Sequence, residues 1–218
     1  MSKFKQAFIT GCDENTEWQL EWFIKNFKKH TSTPIILADF GMSPDLRKKM
    51  FLTRKVDDII DVPKQFANGW FLKPKAMLKA DADETCWIDT DIQVLKDMSG
   101  VFNYIEDEKL GMVRDNPWTI RQQETWHNSG IVVFRNKPLI LKMWAERCAL
   151  NPSRGDQEVL HPMVGQGIGR LRYISEVPNI YNWLRIQILD GQDDPNKKCI
   201  HWTGQQGKLE IRKLIYNE

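Results

Sequence analysis

The sequence predicts an α/β fold in which helices flank a mainly parallel central sheet. Over roughly the first hundred residues, short apolar runs alternate with amphipathic stretches, which is the pattern of repeated strand–helix units. The length of 218 residues allows one sizeable core but is short for two domains of usual size. We therefore expect a single domain over residues 1–218, with one half over 1–95 and a second over 96–218.

Two strand–helix units open the chain. The apolar run Ala7–Thr10 predicts a buried strand, and turn-forming residues after it lead into a helix over Glu17–His30. Thr16 is suited to be the N-cap of that helix. A second strand is predicted at Pro34–Ala38, and the next helix begins at Ser43, which can cap it before a proline in the first turn.

A third strand at Val56–Val62 and a helix at Trp70–Ala82 precede the short apolar strand Thr85–Ile88. The second half is more mixed than the first. Its predicted strands are Leu110–Val113, Gly130–Phe134, Leu171–Ile174 and Lys198–His201, and its predicted helices are Pro138–Ala149 and Gln157–His161.

The composition excludes several classes of protein. A formal net charge of +2, with acids and bases interspersed, argues against a nucleic-acid partner. No apolar stretch approaches the roughly eighteen residues that a membrane span requires, so we expect no transmembrane segment. The N-terminus lacks the pattern of a secretory signal, which predicts a cytoplasmic protein. The scattered cysteines lack zinc-cluster spacing and are expected to be reduced thiols: Cys12, Cys86, Cys148 and Cys199.

Two aspartates separated by one residue follow the apolar strand that ends at Ile88. In α/β folds this carboxyl end of the sheet is where ligands bind. If the extended geometry continues, Asp89 and Asp91 point to the same side and can address one cation. Two acids at the mouth of a buried strand are costly unless a cation balances them. Carboxylate oxygens suit Mn²⁺ or Mg²⁺ rather than zinc, so we predict such a metal site here.

The segment Trp87–Ile92 resembles the DxD segment of GT-A glycosyltransferases. Further segments follow in the order seen in the group that contains glycogenin and the bacterial lipooligosaccharide galactosyltransferases. These segments are the loop Thr10–Asn15, the helix start Trp70–Lys75, the Asn-Ser-Gly turn in His127–Val133, the segment Gly155–Glu158 and the turn His201–Gly204. The resemblance covers nearly the whole chain. It implies a GT-A fold, a nucleotide-sugar donor, most simply a UDP-sugar, and a glycan or glycoconjugate acceptor.

The resemblance also implies a role for individual residues. His201 would join Asp89 and Asp91 as the third metal ligand. The implied donor-binding residues are Thr10, Gly11, Asp13, Asn15, Lys73, Thr90, Asn128, Ser129, Gly204 and Lys208. The sequence departs from the group in two places: Thr16 replaces the aromatic residue after the uridine-loop asparagine, and Lys208 lies one residue later than usual.

Two predicted catalytic residues, Asp156 and Gln157, lie where donor sugar and acceptor would meet. An inverting enzyme needs a general base, for which Asp156 is the candidate, although an aspartate there could simply cap the helix. In a retaining enzyme of the related group, Gln157 would face the anomeric carbon. Both possibilities stay open. Tryptophan faces stack on sugars, and nine tryptophans is a high number for this length. The candidates for acceptor stacking are Trp126 and Trp202, followed by Trp118 and Trp183.

Three other functions share parts of this pattern. A haloacid-dehalogenase-type phosphatase also ends an apolar strand in DxD, but Gln93 stands where that family has threonine or valine. A nucleotidyltransferase needs a glycine-rich first loop, and only Gly11 is present. A non-catalytic sugar-binding relative would not need two acids and a distant histidine to converge.

Overall fold

A seven-stranded sheet forms the centre of the computed structural model, which describes residues 2–63, 69–150 and 154–216. The strands are β1 (Phe4–Cys12), β2 (Ile35–Asp39), β3 (Asp58–Asp61), β4 (Ala82–Ile88), β5 (Ile92–Val94), β6 (Leu110–Arg114), β7 (His127–Arg135), β8 (Ile174–Val177), β9 (Trp183–Leu184) and β10 (Cys199–His201). The central sheet has the order β3-β2-β1-β4-β7-β6-β8, and a three-stranded sheet has the order β5-β10-β9.

The central sheet is mainly parallel, which confirms the predicted fold class. Only β7 runs antiparallel to its neighbours β4 and β6, whereas the other pairs are parallel. As a result β4 and β6 point the same way, and residues that follow them emerge at the same edge of the sheet.

Helices cover both faces of the sheet. They are α1 (Leu20–His30), α2 (Pro44–Leu52), α3 (Lys73–Lys79), α4 (Asn116–Gln122), α5 (Leu139–Leu150), α6 (Asp156–Val164), α7 (Gly167–Leu171), α8 (Arg185–Leu189) and α9 (Gly204–Tyr216). Side chains alternate along β1, so that Phe8 packs with α1 on one face, while Ala7 and Ile9 pack with α3 and α5 on the other. Each face therefore has its own apolar layer.

The helix starts agree only in part with the prediction. Ser43 caps α2 as expected, since its hydroxyl accepts a hydrogen bond from the Leu46 N–H at 3.4 Å. Thr16 does not cap a regular helix: its hydroxyl hydrogen-bonds Asp13, a short 3₁₀ helix follows, and α1 begins only at Leu20. The Thr16 hydroxyl is engaged by Asp13 within the loop, and this hydrogen bond replaces the one that would cap a helix.

Two other element predictions were wrong in their bounds. The helix expected over Trp70–Ala82 begins with a 3₁₀ turn at Gly69–Leu72 and ends at Lys79, because β4 already starts at Ala82. Of the strand expected at Leu171–Ile174, Leu171 ends α7, residues 172–173 form a turn, and β8 starts at Ile174.

All four cysteines are free and buried, as expected for reduced thiols. No helix in the described ranges is both long and apolar enough to cross a membrane. The cytoplasmic location stays a prediction.

Candidate active site

The predicted metal ligands meet where the two sheets join. The Nε2 atom of His201 lies 3.1 Å from Asp91 Oδ1 and 3.7 Å from Asp89 Oδ2. One ligand atom from each residue falls within 4.8 Å of the other two. Two carboxylates and an imidazole at this spacing fit a divalent cation such as Mn²⁺, which accepts both oxygen and nitrogen ligands.

A turn, rather than a continued strand, brings the two aspartates together. The Asp89 N–H donates to the Gly130 carbonyl, and the Asp89 carbonyl accepts from the Ile92 N–H at 3.2 Å, which closes a tight turn. The extended geometry thus ends at Ile88, although both carboxylates still point to one place. After the turn the chain enters the second sheet as β5.

The register of the second sheet delivers His201. His201, in β10, pairs with Ile92 of β5, which directly follows the turn. The Trp202 N–H donates a hydrogen bond to the Asp91 carbonyl at 3.0 Å. Gly130 lies beneath the imidazole, and a Cβ atom at that position would overlap the ring. A glycine in β7 is thus what allows His201 to approach the central sheet.

Burial and mutual charge set the protonation of these groups. Burial raises the pKa of Asp89, against the opposing effect of Lys73. Burial also acts to raise the pKa of Asp91, but the adjacent His201 outweighs it and the net pKa is lowered. For His201, burial disfavours the imidazolium, but Asp91 outweighs that effect and raises the pKa. The three groups form a charge cluster in which His201 is buried and the two aspartates are partly buried.

Lys73 is the central cation of this cluster and is buried rather than solvated. Its Nζ atom lies 2.9 Å from Asp89 Oδ1, 3.4 Å from Asp156 Oδ2 and 3.4 Å from Ser129 Oγ. Burial disfavours its charge, but the carboxylates of Asp156 and Asp89 outweigh that effect and raise its pKa. Trp87 adds a hydrogen bond from Nε1 to Asp89 Oδ1 at 2.7 Å. Lys73 therefore joins the metal site to the start of α6.

A cleft of about 360 Å³ opens beside the acids. It is lined by six of the predicted donor-binding residues, namely Gly11, Asp13, Asn15, Lys73, Thr90 and Lys208. Thr10 lies fully buried within β1, Asn128 and Ser129 lie buried in β7, and Gly204 starts α9. A larger surface groove of about 950 Å³ lies beside α2 and β3 and contains none of these residues, so volume alone does not locate the site.

The loop after β1 is held in place by Asp13. Its Oδ1 atom accepts hydrogen bonds from the backbone N–H groups of Asn15 and Thr16, both at 3.1 Å. Gly11 lies against the Phe40 ring, which a Cβ atom would overlap. The loop thus has a fixed shape at the mouth of the cleft.

Sequence reasoning missed two aromatic residues of this cleft, Phe40 and Trp70. Phe40 stacks on Trp87 with ring centroids 6.3 Å apart and is buried. Trp70 is 46% exposed, which is unusual for so large an apolar side chain. Its position just before the Lys73 helix start was the available signal. Trp70 therefore provides an exposed aromatic face in the cleft.

The two predicted catalytic residues begin α6, for which Gly155 is the N-cap. Asp156 therefore does not cap this helix, and its carboxylate faces Lys73 instead. The Gln157 side chain is held at both ends: Oε1 accepts from the Ser129 N–H and Nε2 donates to Asp115 Oδ2, each at 3.2 Å. Asp156 and Gln157 thus lie next to the predicted metal ligands, Asp156 through Lys73 and Gln157 through Ser129.

Asp115 and Asn182 are buried polar residues that the sequence analysis did not select. Asp115 Oδ2 also accepts from Asn128 Nδ2 at 3.0 Å, and Asn182 Oδ1 lies 2.9 Å from His201 Nδ1. Asp115 could have been found, because it follows the predicted strand Leu110–Val113 at the same sheet edge as the DxD motif. Asn182 follows no comparable signal.

The tryptophans predicted to stack on the acceptor have different surroundings. Trp126 stacks on His161 with ring centroids 3.5 Å apart and on Trp118 at 5.8 Å. Trp202 Nε1 donates to Gln93 Oε1 at 3.1 Å, and Trp183 is buried. Trp118 and Trp126 therefore form one partly exposed aromatic stack, whereas Trp202 helps to hold the second sheet.

Comparison with known proteins relates this architecture to solved enzymes. No protein-family model matches the sequence, and no curated protein is significantly similar to it. The glycosyltransferase GlyE of Streptococcus pneumoniae superposes with a TM-score of 0.69 at 19% identity, over 92% of this chain and 55% of GlyE. This chain thus spans about half the length of GlyE.

Two further structures are matched over nearly their whole length. The galactosyltransferase LgtC, solved with donor and acceptor sugar analogs, gives a TM-score of 0.62 at 13% identity, over 96% of this chain and 94% of LgtC. Mouse xyloside xylosyltransferase 1 gives 0.55 at 12% identity, over 93% of this chain and 97% of that enzyme. The phosphatase alternative is not favoured by these neighbours. The chain has the GT-A fold of glycosyltransferases.

Proposed function

We propose that this protein transfers a sugar from a nucleotide-diphosphate sugar, with a UDP-sugar as the first candidate, to a hydroxyl group of a glycan or glycoconjugate. The observation that carries the proposal is the meeting of Asp89, Asp91 and His201 at the cleft formed by the loop after β1. In this reaction the bond between the anomeric carbon and the diphosphate oxygen breaks, the acceptor oxygen bonds to that carbon, and the hydroxyl proton is removed.

Asp89, Asp91 and His201 would hold one Mn²⁺ or Mg²⁺ ion. Bound there, the ion would neutralise charge that develops on the leaving diphosphate. Two cationic side chains of the protein also line this cleft. Lys73 is already anchored on Asp89, and Lys208 lines the cleft on α9.

The nucleoside would occupy the outer part of the cleft. Asp13 fixes the loop, which leaves Asn15 at the cleft lining to hydrogen-bond the base edge. The half-exposed face of Trp70 would stack on the base, a contact that aromatic rings make with every nucleobase. In this proposal Trp70 takes the role of the aromatic residue that the related group has at the position of Thr16.

The sugar and acceptor would meet near Asp156 and Gln157. An inverting enzyme would use Asp156 as the base for the acceptor hydroxyl, whereas a retaining enzyme would present Gln157 to the anomeric carbon. The anomeric configuration of the product, measured by NMR, distinguishes these two mechanisms. The stack of Trp118 and Trp126 is the candidate platform for the acceptor.

Calorimetry with UDP, with and without Mn²⁺, tests the proposal. We expect Mn²⁺ to strengthen UDP binding and Asp91→Ala to abolish that gain. Asp81→Ala is the matched control, since Asp81 is exposed and precedes β4 at its opposite end. Mn²⁺-dependent UDP binding that survives Asp91→Ala would refute the metal assignment. Hydrolysis of UDP- and GDP-sugars then separates an enzyme from a sugar-binding protein and identifies the donor.

A further inference from the structure

A line of hydrogen-bonded polar side chains runs from His201 to Gln157. His201 Nδ1 lies 2.9 Å from Asn182 Oδ1, and Asn182 Nδ2 donates to Asn128 Oδ1 at 2.8 Å. Asn128 Nδ2 donates to Asp115 Oδ2, which also accepts from Gln157. Because Asp115, Asn128, Asn182 and His201 are buried, a hydrogen bond lost between them would leave a polar atom without water to replace it.

The direction of this line is fixed by two groups that cannot change their roles. The Gly130 backbone N–H can only donate, and it donates to Asn128 Oδ1 at 2.9 Å. The Asp115 carboxylate accepts from Asn128 Nδ2 at the other side. The Asn128 amide therefore has one permitted orientation, with its oxygen toward Gly130 and Asn182.

The orientation of Asn128 in turn fixes the orientation of Asn182 and the hydrogen bonding of His201. Since Asn128 presents an oxygen, Asn182 must present its NH₂ group there and its oxygen to His201. An amide oxygen only accepts, so Nδ1 of His201 must carry a proton. The other nitrogen, Nε2, is the one that faces Asp91 and Asp89.

We propose that Asn182 is a positioning residue that selects Nε2 of His201 as the metal-binding nitrogen and ties that ring to Asn128, Asp115 and Gln157. The choice of nitrogen rests on the proposed function, because it presumes a metal at the carboxylates. Hydrogen bonds of this kind behind a histidine ligand fix its tautomer and orientation in metal sites generally.

The local fold explains why Asn182 can do this. It is fully buried and directly precedes β9, whose Leu184 pairs with His201 in β10. Its own backbone N–H donates to the Asn179 carbonyl at 3.0 Å, which closes the 3₁₀ turn before the strand. The side chain is thus held between β7 and β10, with a partner on each.

Two substitutions separate the two ends of Asn182. Asn182→Leu has similar size but can neither accept from His201 nor donate to Asn128. Asn182→Asp keeps an acceptor for the Nδ1 proton of His201 but has no donor for Asn128, so it tests the His201 contact alone. Asn182→Ser, which is too short to bridge, serves if the leucine variant does not fold.

The first readout needs no metal and no substrate. In metal-free protein labelled with ¹⁵N-histidine, His201→Gln identifies the ring signals of His201. We expect a hydrogen-bonded Nδ1 proton that exchanges slowly with water in the wild type and in Asn182→Asp, and faster exchange with a shifted Nδ1 signal in Asn182→Leu and Asn182→Ser. A wild-type ring without a proton on Nδ1, or a signal unchanged in Asn182→Leu, would overturn the proposal.

The second readout is the affinity for Mn²⁺ in the presence of UDP, measured by electron paramagnetic resonance. We expect Asn182→Leu to weaken Mn²⁺ binding about 10- to 100-fold, as losses behind metal ligands typically do, while Asn182→Asp stays close to the wild type. Equal Mn²⁺ affinity in both variants would refute the positioning role. If the wild type shows the Nδ1 proton but binds no Mn²⁺, the metal assignment of the proposed function fails instead, and the selection of Nε2 as a ligand fails with it.

Discussion

Replacing Lys73 by methionine isolates the cost of the buried charge cluster. Methionine keeps an unbranched apolar stem beside Trp87, so the change removes mainly the ammonium group. Lys73 is 6% exposed and contacts the carboxylates of Asp89 and Asp156. Removing one partner of a buried ion pair costs about 3–5 kcal/mol, because the remaining charge is left unpaired.

The assay is urea denaturation of the metal-free protein. With a slope of about 2 kcal/mol per molar urea for a chain of this size, a loss of about 3–5 kcal/mol lowers the midpoint by roughly 1.5–2.5 M. Lys79→Met is the matched control on the same helix. Its exposed ammonium donates to the Asp61 carbonyl at 2.7 Å, and we expect it to cost about 1 kcal/mol at most.

A second part of the experiment adds Mn²⁺. If the cation occupies the proposed site, it supplies positive charge where Lys73 was removed, and it should stabilise Lys73→Met more than the wild type. The reasoning fails if Lys73→Met unfolds at the same urea concentration as Lys79→Met, since the buried carboxylates would then not depend on this lysine.

Three further results are expected. Gly130→Ala should weaken Mn²⁺-dependent UDP binding about 10- to 100-fold, because the added methyl group displaces the His201 ring, whereas Gly155→Ala should leave calorimetric affinity unchanged. Trp70→Ala should weaken UDP binding by about 1–3 kcal/mol through lost stacking, and Trp70→Phe should restore part of it; equal affinities would exclude the base contact. Because the fold raises the pKa of His201, this residue should stabilise metal-free protein below its ordinary pKa of about 6.5, and that contribution should fade as the pH rises through the folded-state value. Stability–pH profiles of wild type and His201→Gln should therefore converge on raising the pH, and parallel profiles would contradict this assignment.

The alternation of apolar runs and helical patterns was enough to predict the sheet and its first strands. The DxD motif was recognisable because two acids at the end of an apolar strand conflict with burial unless something balances them. His201 was predicted from its place at a strand end before a glycine turn together with the family resemblance, because a lone histidine more than a hundred residues away is weak evidence by itself. Its approach depends on the pairing of β5 with β10 and on the space left by Gly130.

The wrong helix start and the polar residues that were not predicted also have physical causes. Thr16 has the side chain of an N-cap, but Asp13 competes for its hydroxyl and delays the helix to Leu20. Asp115 follows a predicted strand, whereas Asn182 has no comparable sequence signal, and only the tertiary packing joins the two in one hydrogen-bonded line. Helix and turn propensities describe each residue alone, whereas the roles of Asn182 and Asp115 depend on their hydrogen-bond partners in the folded protein.

The second sheet has a consequence for how the protein matures. During synthesis, β1 and β4 can form while β10 still awaits translation, so an incomplete chain possesses both aspartates but no His201. Binding of a cation by all three groups becomes available only once the chain has passed His201 and paired β10 with β5. Cation binding would then favour that pairing by mass action. The proposed cation site would thus be complete only after β10 has paired with β5.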